Sequence, residues 1–234
     1  MISSHKTISV IIPILNEEQN LKKLFPYLSS VIDEQNTELI FVDGGSRDGG
    51  MGYLENEKAN VVLSPKKGRA AQMNFGAKLA KGKILYFLHA DTLPHASFES
   101  VLIQAFNQGI ESGCFRYRFD SDSLLLRINS WFTRFNGLFA GGGDQSLYIL
   151  KKVFEELNGF DERQCIMEDF ELVRRIRKNY LFVVFKEEIR VSARKYSRNS
   201  WLKVQFANLL AFVYFRFNVD SKTIKSKYRS ILDL

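Results

Sequence analysis

The chain has 234 residues, of which 45% are hydrophobic and 25% charged, enough for one sizeable core and too little for two large domains. That balance excludes a disordered or low-complexity protein, and no run reaches the ~20 apolar residues a membrane-spanning helix needs. The net charge of +7 is one-ended, because residues 186–234 hold 11 Lys/Arg against 4 Asp/Glu while residues 1–185 are balanced.

Taken in chain order, Ile8 to Ile14 is a short apolar, β-branched run that reads as a buried parallel strand. Leu21, Leu24, Phe25 and Leu28 repeat at helical spacing, and Asn16 and Gln19 are placed to cap that helix. Leu39 to Val42 is a second strand, closed by the Gly-rich segment Asp43 to Gly50, and Val61 to Leu63 is a third. Ala70 to Ala80 reads as a helix and Ile84 to Leu88 as a fourth strand. Strand–helix alternation over ~90 residues predicts βαβ units on a parallel sheet. Ligands of such sheets bind beyond the C-terminal strand ends. The polar clusters Asn16-Glu17, Asp43 to Asp48 and His89 to Asp91 all fall there.

The second half is less regular. Phe98 to Phe106 reads as a helix and Cys114 to Phe119 as a strand. Leu124 to Phe139 is predicted as one apolar helix, broken by Gly141-Gly142-Gly143. Gln145 to Leu150 is strand-like, Phe170 to Lys178 helical, and Phe182 to Phe185 and Ile189 to Val191 are two short strands. Trp201 to Phe217 is an apolar helix followed by a basic tail. Cys114 and Cys165 lack metal-type spacing and predict a reducing compartment without a disulfide framework. The N-terminus shows no signal-peptide pattern, so a cytoplasmic protein is expected.

Five segments carry chemistry. Pro13 to Glu18 is a strand end with a fixed turn, able to aim backbone and carboxylate groups at a nucleotide or simply to cap a helix. In Asp43-Gly44-Gly45-Ser46-Arg47-Asp48, a carboxylate can accept hydrogen bonds from a base or ribose while the glycines admit a close ligand; any tight loop reads similarly. Gly68-Arg69 opens a helix containing Asn74 and offers a cation and free N–H groups to an anion, or is an ordinary helix start. In His89-Ala90-Asp91, Asp91 suits a Mg²⁺ or Mn²⁺ ion that takes oxygen ligands and keeps waters, whereas His89 reads more readily as a hydrogen-bonded histidine than as a ligand. Glu168-Asp169 places adjacent acids at a helix start, favoured by its dipole, where a carboxylate can also take a proton from a hydroxyl.

In order and spacing, these five segments from Ile8 to about Ser192 resemble glycosyltransferase family 2. The resemblance implies a GT-A fold, an α/β domain with a mostly parallel mixed sheet flanked by helices. It implies a catalytic domain over 1–192, with 193–234 as a helical extension of the same domain. It implies inverting transfer of a sugar from a UDP- or GDP-linked donor to a hydroxyl or carboxylate of a lipid-linked or membrane-proximal acceptor. Pro13, Asn16 and Glu17 would flank the nucleotide pocket with Gly45, Ser46, Asp48 and Ala90. Asp43 would hold the base or ribose, and Arg69 and Asn74 would line the donor pocket. Asp91 would bind the metal and Asp169, beside Glu168, would be the base. Gly143, Asp144 and Gln145 resemble the acceptor-side loop. One departure is His89, which stands where the family's Asp-x-Asp has its first acid. The His-Ala-Asp form, with Ser192 to Tyr196 and the apolar C-terminal helix, looks like a short bacterial subgroup similar to carotenoid-acid glycosyltransferases.

Trp201 to Phe217 has 13 apolar or aromatic residues of 17, with Lys222, Lys225, Lys227 and Arg229 following. Apolar surface beside clustered cations predicts peripheral membrane contact through 201–229, on the inner face of the cell membrane; packing on the core or a homodimer interface is the alternative use. Nucleic acid is disfavoured because the aromatics sit apart from the cations. Two rival readings are a nucleotidyltransferase, which would want a glycine-rich loop where Pro13-Ile14-Leu15-Asn16 stands, and a catalytically silent membrane-binding module on a transferase fold.

Overall fold

The computed structural model describes residues 6–232. Its centre is β1 (Ile8–Ile14), whose seven residues are all buried. β1 is flanked by β2 (Thr37–Asp43) and β4 (Ile84–Phe87), both parallel to it, and β3 (Val61–Leu63) extends the sheet beyond β2. Then come β7 (Leu147–Leu150), β6 (Ser112–Phe119), β8 (Phe182–Val191) and β5 (Thr92–Leu93), giving one eight-stranded sheet ordered β3-β2-β1-β4-β7-β6-β8-β5. β7 runs antiparallel to β4 and β6, and β5 antiparallel to β8, so the sheet is mixed as the sequence predicts.

The β1–β4 ladder ends at Ile11 and Phe87, while β1 and β2 stay paired as far as Ile14 and Asp43. Pro13, which has no N–H to offer, therefore falls where a β4 partner is no longer required. The parting of β1 and β4 opens a crevice at the point where strand order reverses, the usual ligand position in an open α/β sheet.

α1 (Glu18–Val31) and α2 (Gly50–Asn56) pack on each other, α3 (Arg69–Leu79) lies across β1 and β2, and α4 (Phe98–Asn107) follows β5. α3 is built of small residues on its inner side, including Ala70, Ala71, Gly76 and Ala77. A Cβ on Gly76 would lie 2.6 Å from Ile11 Cγ2 and 3.0 Å from Val42 Cγ2, so the helix backbone sits directly on the strands. Neither Asn16 nor Gln19 caps α1: Glu17 stands at the cap without a side-chain capping bond, and Asn16 is in the left-handed region at φ 56°.

The second half departs from the predicted elements in four places. α5 (Leu124–Phe132) stops seven residues before Phe139, because residues 133–139 are mostly exposed and present no face for burial. The strand predicted from Gln145 begins at Leu147; Gly143–Gln145 is a short 3₁₀ turn and Ser146 has φ 54°. The two short strands are one, β8, with a register jump against β6 between Phe115 and Arg116. The basic tail is a helix, α10 (Ser221–Leu232), amphipathic enough to pack on α9 (Trp201–Arg216). α6 (Lys151–Glu156), α7 (Glu168–Asn179) and α8 (Arg194–Arg198) complete the helices. Phe215, Ala211 and Ile224 of the α9–α10 hairpin bury against Ile166, Met167 and Phe170 at the start of α7. Cys114 is buried and Cys165 exposed, and both are free.

Overpacking a filled interior costs roughly 1–3 kcal/mol, more than the ~1 kcal/mol of helix propensity gained on replacing glycine. Gly76→Val is expected to lower unfolding free energy by about 2 kcal/mol in urea titration, and undiminished stability would contradict the contact.

Candidate active site

A cavity of about 1000 Å³ occupies the crevice at the ends of β1, β2 and β4. Pro13, Ile14, Asn16 and Glu17 enter it from the β1 end, and Gly44, Gly45 and Arg47 from the loop after β2. His89, Ala90 and Asp91 follow β4, and Arg69 opens α3. Asp144 and Glu168 close the opposite wall.

The loop after β2 is held by its own polar side chains. Asp43 is 1% exposed, and its carboxylate accepts from the backbone N–H groups of Gly45 (2.8 Å) and Ser46 (3.0 Å) and from the Ser46 hydroxyl. Asp43 does not itself line the cavity and braces the loop whose Gly44 and Gly45 do. Ser46 is likewise turned inward, its Oγ accepting from Asn16 N–H at 2.9 Å, while Asn16 Oδ1 accepts from Arg47 N–H at 2.8 Å. Asp48 is spent on the start of α1, accepting from Glu18 N–H at 2.9 Å, and on Gly50 N–H at 3.1 Å. Asn74 exchanges two hydrogen bonds of 2.9 Å with the backbone of Phe160 and so anchors that segment instead of lining the donor pocket. Gln145 is buried and its amide serves Gly141 N–H and the carbonyls of Phe115 and Thr133. Asp43, Ser46 and Asp48 carry short polar side chains at or next to the loop after β2, where bonding to nearby backbone competes with bonding to a ligand.

The acids Glu168 and Asp169 are 1% and 7% exposed. The Arg69 Nε–H donates to Glu168 Oε1 across 99 residues of chain, while Glu168 Oε2 is buried with no partner. Burial alone would raise the Glu168 pKa, but the Arg69 guanidinium holds it below the usual carboxylate value. Asp169 goes the other way: burial first, then the charges of Glu168 and Asp144, push it up to about 7. Gly143 is the backbone that lets these groups meet. A Cβ there would lie 2.3 Å from His89 Cε1 and 2.6 Å from Asp169 Oδ2.

Burial and the Arg69 charge press His89 down to about 4, which keeps it neutral near pH 7. Asp91, its side chain 36% exposed, is raised by burial and by the nearby charges of Asp144 and Glu17. Arg194 sits between these acids, with Nη2 3.3 Å from Glu17 Oε1 and 3.8 Å from Asp91 Oδ2. Asp144 influences Asp91, Asp169, His89, Arg69 and Lys195, and is the charge common to the whole site.

The sequence reading missed several lining residues. Lys67 and Gln72 are carried in by α3 and the turn before it, and the Lys66-Lys67-Gly68-Arg69 run was a legible signal for the former. Gln72 is buried and its Nε2 donates to Ile14 O at 2.8 Å and Val42 O at 2.7 Å, tying the ends of β1 and β2. Lys225, Tyr228 and Arg229 of α10 reach the rim together with Arg198, which nothing in their local sequence announces.

Breaking a buried ion pair costs roughly 3–5 kcal/mol. Because the Arg69 side chain stays 43% exposed, Arg69→Met is expected to cost less, about 2 kcal/mol, and to raise the Glu168 pKa. Denaturant unfolding and carboxylate NMR titration check both, and an unmoved Glu168 would contradict the coupling.

A sequence model described as glycosyl transferase family 2 matches residues 9–179. The undecaprenyl-phosphate 4-deoxy-4-formamido-L-arabinose transferase of Aeromonas hydrophila is 31% identical over 138 residues, covering 55% of this chain and 40% of that protein. The glucosyl-3-phosphoglycerate synthase of Mycobacterium tuberculosis is 32% identical over 109 residues, covering 42% of this chain and 33% of that protein. The chain thus spans two-fifths or less of the length of these curated relatives. Among solved structures, the Pyrobaculum calidifontis mannosyltransferase PcManGT in complex with GDP-Man and Mn²⁺ superposes with a TM-score of 0.69 at 15% identity, over 97% of this chain and 68% of that one. S. aureus TarS (1–349) in complex with UDP-GlcNAc gives 0.66 at 14% identity, over 97% and 71%. The sheet order, the strand-end crevice and the family match over residues 9–179 lead to one conclusion: this chain belongs to glycosyl transferase family 2, on a GT-A fold.

Proposed function

We propose that the protein transfers a sugar from a nucleotide-diphosphate donor to an acceptor hydroxyl or carboxylate, with inversion at the anomeric carbon. The observation that carries this reading is the convergence on one cavity of Asp91, Asp144, Glu168 and Arg69, with Asp169 buried directly after Glu168 at the start of α7. The donor's nucleotide would lie against Pro13, Asn16, Glu17 and the Gly44–Gly45 backbone that Asp43 and Ser46 hold open, with Arg47 beside them. Ala90 adds a small, close-packed wall. Arg69, Lys67, Arg194 and Lys195 supply positive charge for a diphosphate.

Asp91 has a partly exposed carboxylate facing the cavity, and among the described residues no group of three or more His, Cys, Asp or Glu gathers to hold an ion. That donor set fits a hard divalent cation, which needs only one or two carboxylates when phosphate and water complete its shell. Asp91 would hold Mg²⁺ or Mn²⁺, and the ion when bound would supply charge stabilisation to the departing diphosphate. Neutral His89, packed against Gly143, serves as a wall in this reading.

Asp169 would take the proton from the acceptor hydroxyl as that oxygen attacks the anomeric carbon, because a base is most effective with a pKa close to the working pH. Glu168 keeps its own charge on Arg69 and thereby maintains the Asp169 shift. Gly143 and Asp144 border the acceptor side. Residues 193–234 would work as an extension of the catalytic domain over 1–192, closing the rim through α8 and α10.

Among the described residues no helix is long and apolar enough to cross a membrane. We read the protein as a peripheral enzyme at the cytoplasmic membrane face. α9 leaves Leu202, Phe206, Leu209 and Val213 exposed along one side. Spacings of 3 and 4 residues put them on one stripe. Of the α10 cations, Lys225 and Arg229 border the cavity, while Lys222 and Lys227 are exposed away from it.

Asp169→Asn is expected to abolish transfer while nucleotide-sugar binding persists in calorimetry; turnover like the parent's would remove the base. The active form of Asp169 is the anion and burial favours the acid, so kcat/KM should fall about tenfold per pH unit below about 7 and level off above it. A rate flat from pH 5 to 8 would contradict this assignment. Asp91→Ala should eliminate the Mn²⁺-dependent part of the thermal shift given by UDP- or GDP-sugars, and a shift equal in both proteins would contradict the metal site.

A further inference from the structure

A second depression, about 390 Å³, lies between α5, the 133–139 segment and β6. Its walls are Tyr117, Phe132, Phe135, Phe139, Ala140 and Gln145, with Asn129 and Thr133 among them. It adjoins the candidate active site through one turn. Asp144 borders the catalytic cavity and the next residue, Gln145, borders the groove. The Tyr117 phenol, raised above its ordinary pKa by burial, also feels the charge of Asp144.

We propose that this groove holds the hydrocarbon chain of the sugar acceptor, so that the acceptor is an amphipathic lipid whose polar end emerges beside Asp144 and Asp169. The inference rests on the transferase reading above. The groove's chemistry selects this occupant. Three of its polar side chains, Thr133, Gln145 and Asn129, bond within the protein. Thr133 Oγ1 donates to Ser130 O and accepts from Tyr117 N–H, the Gln145 amide serves three backbone groups, and Asn129 Nδ2 reaches the Tyr196 hydroxyl at 3.4 Å. What remains is mainly the ring faces of Phe132, Phe135, Phe139 and Tyr117, with the Tyr117 hydroxyl as a lone polar group among them. A hydrocarbon chain asks for no directional donor or acceptor.

The groove's mouth points to the source of the chain. Phe132, Phe135 and Phe139 are 60%, 52% and 67% exposed, and the Phe139 ring lies 4.5 Å from that of Phe212 on α9. The apolar stripe of α9 and the rim of the groove therefore adjoin. Residues 123–143 and 193–219 contain no Asp or Glu, yet they include Arg127, Arg134, Lys203 and Arg216. A lipid drawn from an anionic surface would enter without passing a like charge.

The test uses Trp131, whose ring is 5.2 Å from Phe132 and 5.1 Å from Phe135. In Trp201→Phe protein, Trp131 is the one remaining tryptophan of the two in the sequence. A bromine-labelled C12 alcohol, titrated below its aggregation concentration, should quench its fluorescence saturably, and unlabelled dodecanol should reverse the quenching. Gly137→Phe, which adds a ring where a Cβ would meet open space, and Phe135→Arg should each weaken the apparent affinity tenfold or more. Quenching that does not saturate or that dodecanol fails to reverse overturns the proposal. So does equal quenching in variants whose unfolding midpoints match the parent's. A dimer that excludes the alcohol would give this face to a second copy and also overturn it. Nucleotide-sugar thermal shift on the parent protein reads the donor site separately. A shift without quenching sinks the groove alone, and quenching without a shift sinks the transferase reading while leaving the chain site.

Discussion

The ion pair between Arg69 and Glu168 joins the two halves of this protein. Arg69 opens α3 on the parallel half of the sheet, and Glu168 opens α7 on the antiparallel half, 99 residues later. Glu168 could not stay charged at 1% exposure without it. Because Arg69 satisfies Glu168 first, Asp169 is left with a neighbouring negative charge and little compensation. That asymmetry splits two adjacent acids into a fixed anion and a group that titrates near neutrality. The placement depends on Gly143, since any side chain there would occupy the space taken by His89 and Asp169.

The crevice has a separate cause in the sheet. β1 keeps its pairing with β2 three residues longer than its pairing with β4. Gln72 then bridges the carbonyls of Ile14 and Val42, so the strand ends stay together while the loops beyond them diverge. The Asp43 loop is braced from within, and its glycines present backbone to the cavity. Asp43, Asp48 and Asn74, polar side chains singled out in the sequence, here bond to backbone groups around the cavity. Their carboxylates and amides would otherwise leave buried loop N–H groups unsatisfied.

The C-terminal hairpin has two faces with different tasks. Phe215, Ala211 and Ile224 fasten it to the beginning of α7, directly behind the acidic pair. Lys225, Tyr228 and Arg229 turn toward the cavity, while Leu202, Phe206 and Leu209 turn away from the protein. The basic charge concentrated in the last 49 residues is therefore divided between the site and the outer surface. A reading by net charge alone assigns all of it to one partner.

The sequence by itself determined the α/β alternation of the first ninety residues and the strand-end position of the polar clusters that border the cavity. Those follow from local rules: β-branched runs bury as strands, apolar spacing of 3 and 4 makes helices, and polar clusters after parallel strands face the crevice, whereas Asp91, Glu168 and Asp169 were singled out by the resemblance. The end of α5 at Phe132, the union of 182–191 into one strand and the helix at 221–232 were decided by packing, because each depends on a face offered by another part of the chain. The inward turn of Asp43, Asp48, Asn74 and Gln145 is of the same kind. A carboxylate or amide bonds to whichever partner the fold brings within about 3 Å, and nothing local tells a ligand from a loop amide. Only the tertiary structure set Arg69 against Glu168, and with it the charge state of Asp169, since Coulomb energy and desolvation depend on distance and burial and not on order along the chain.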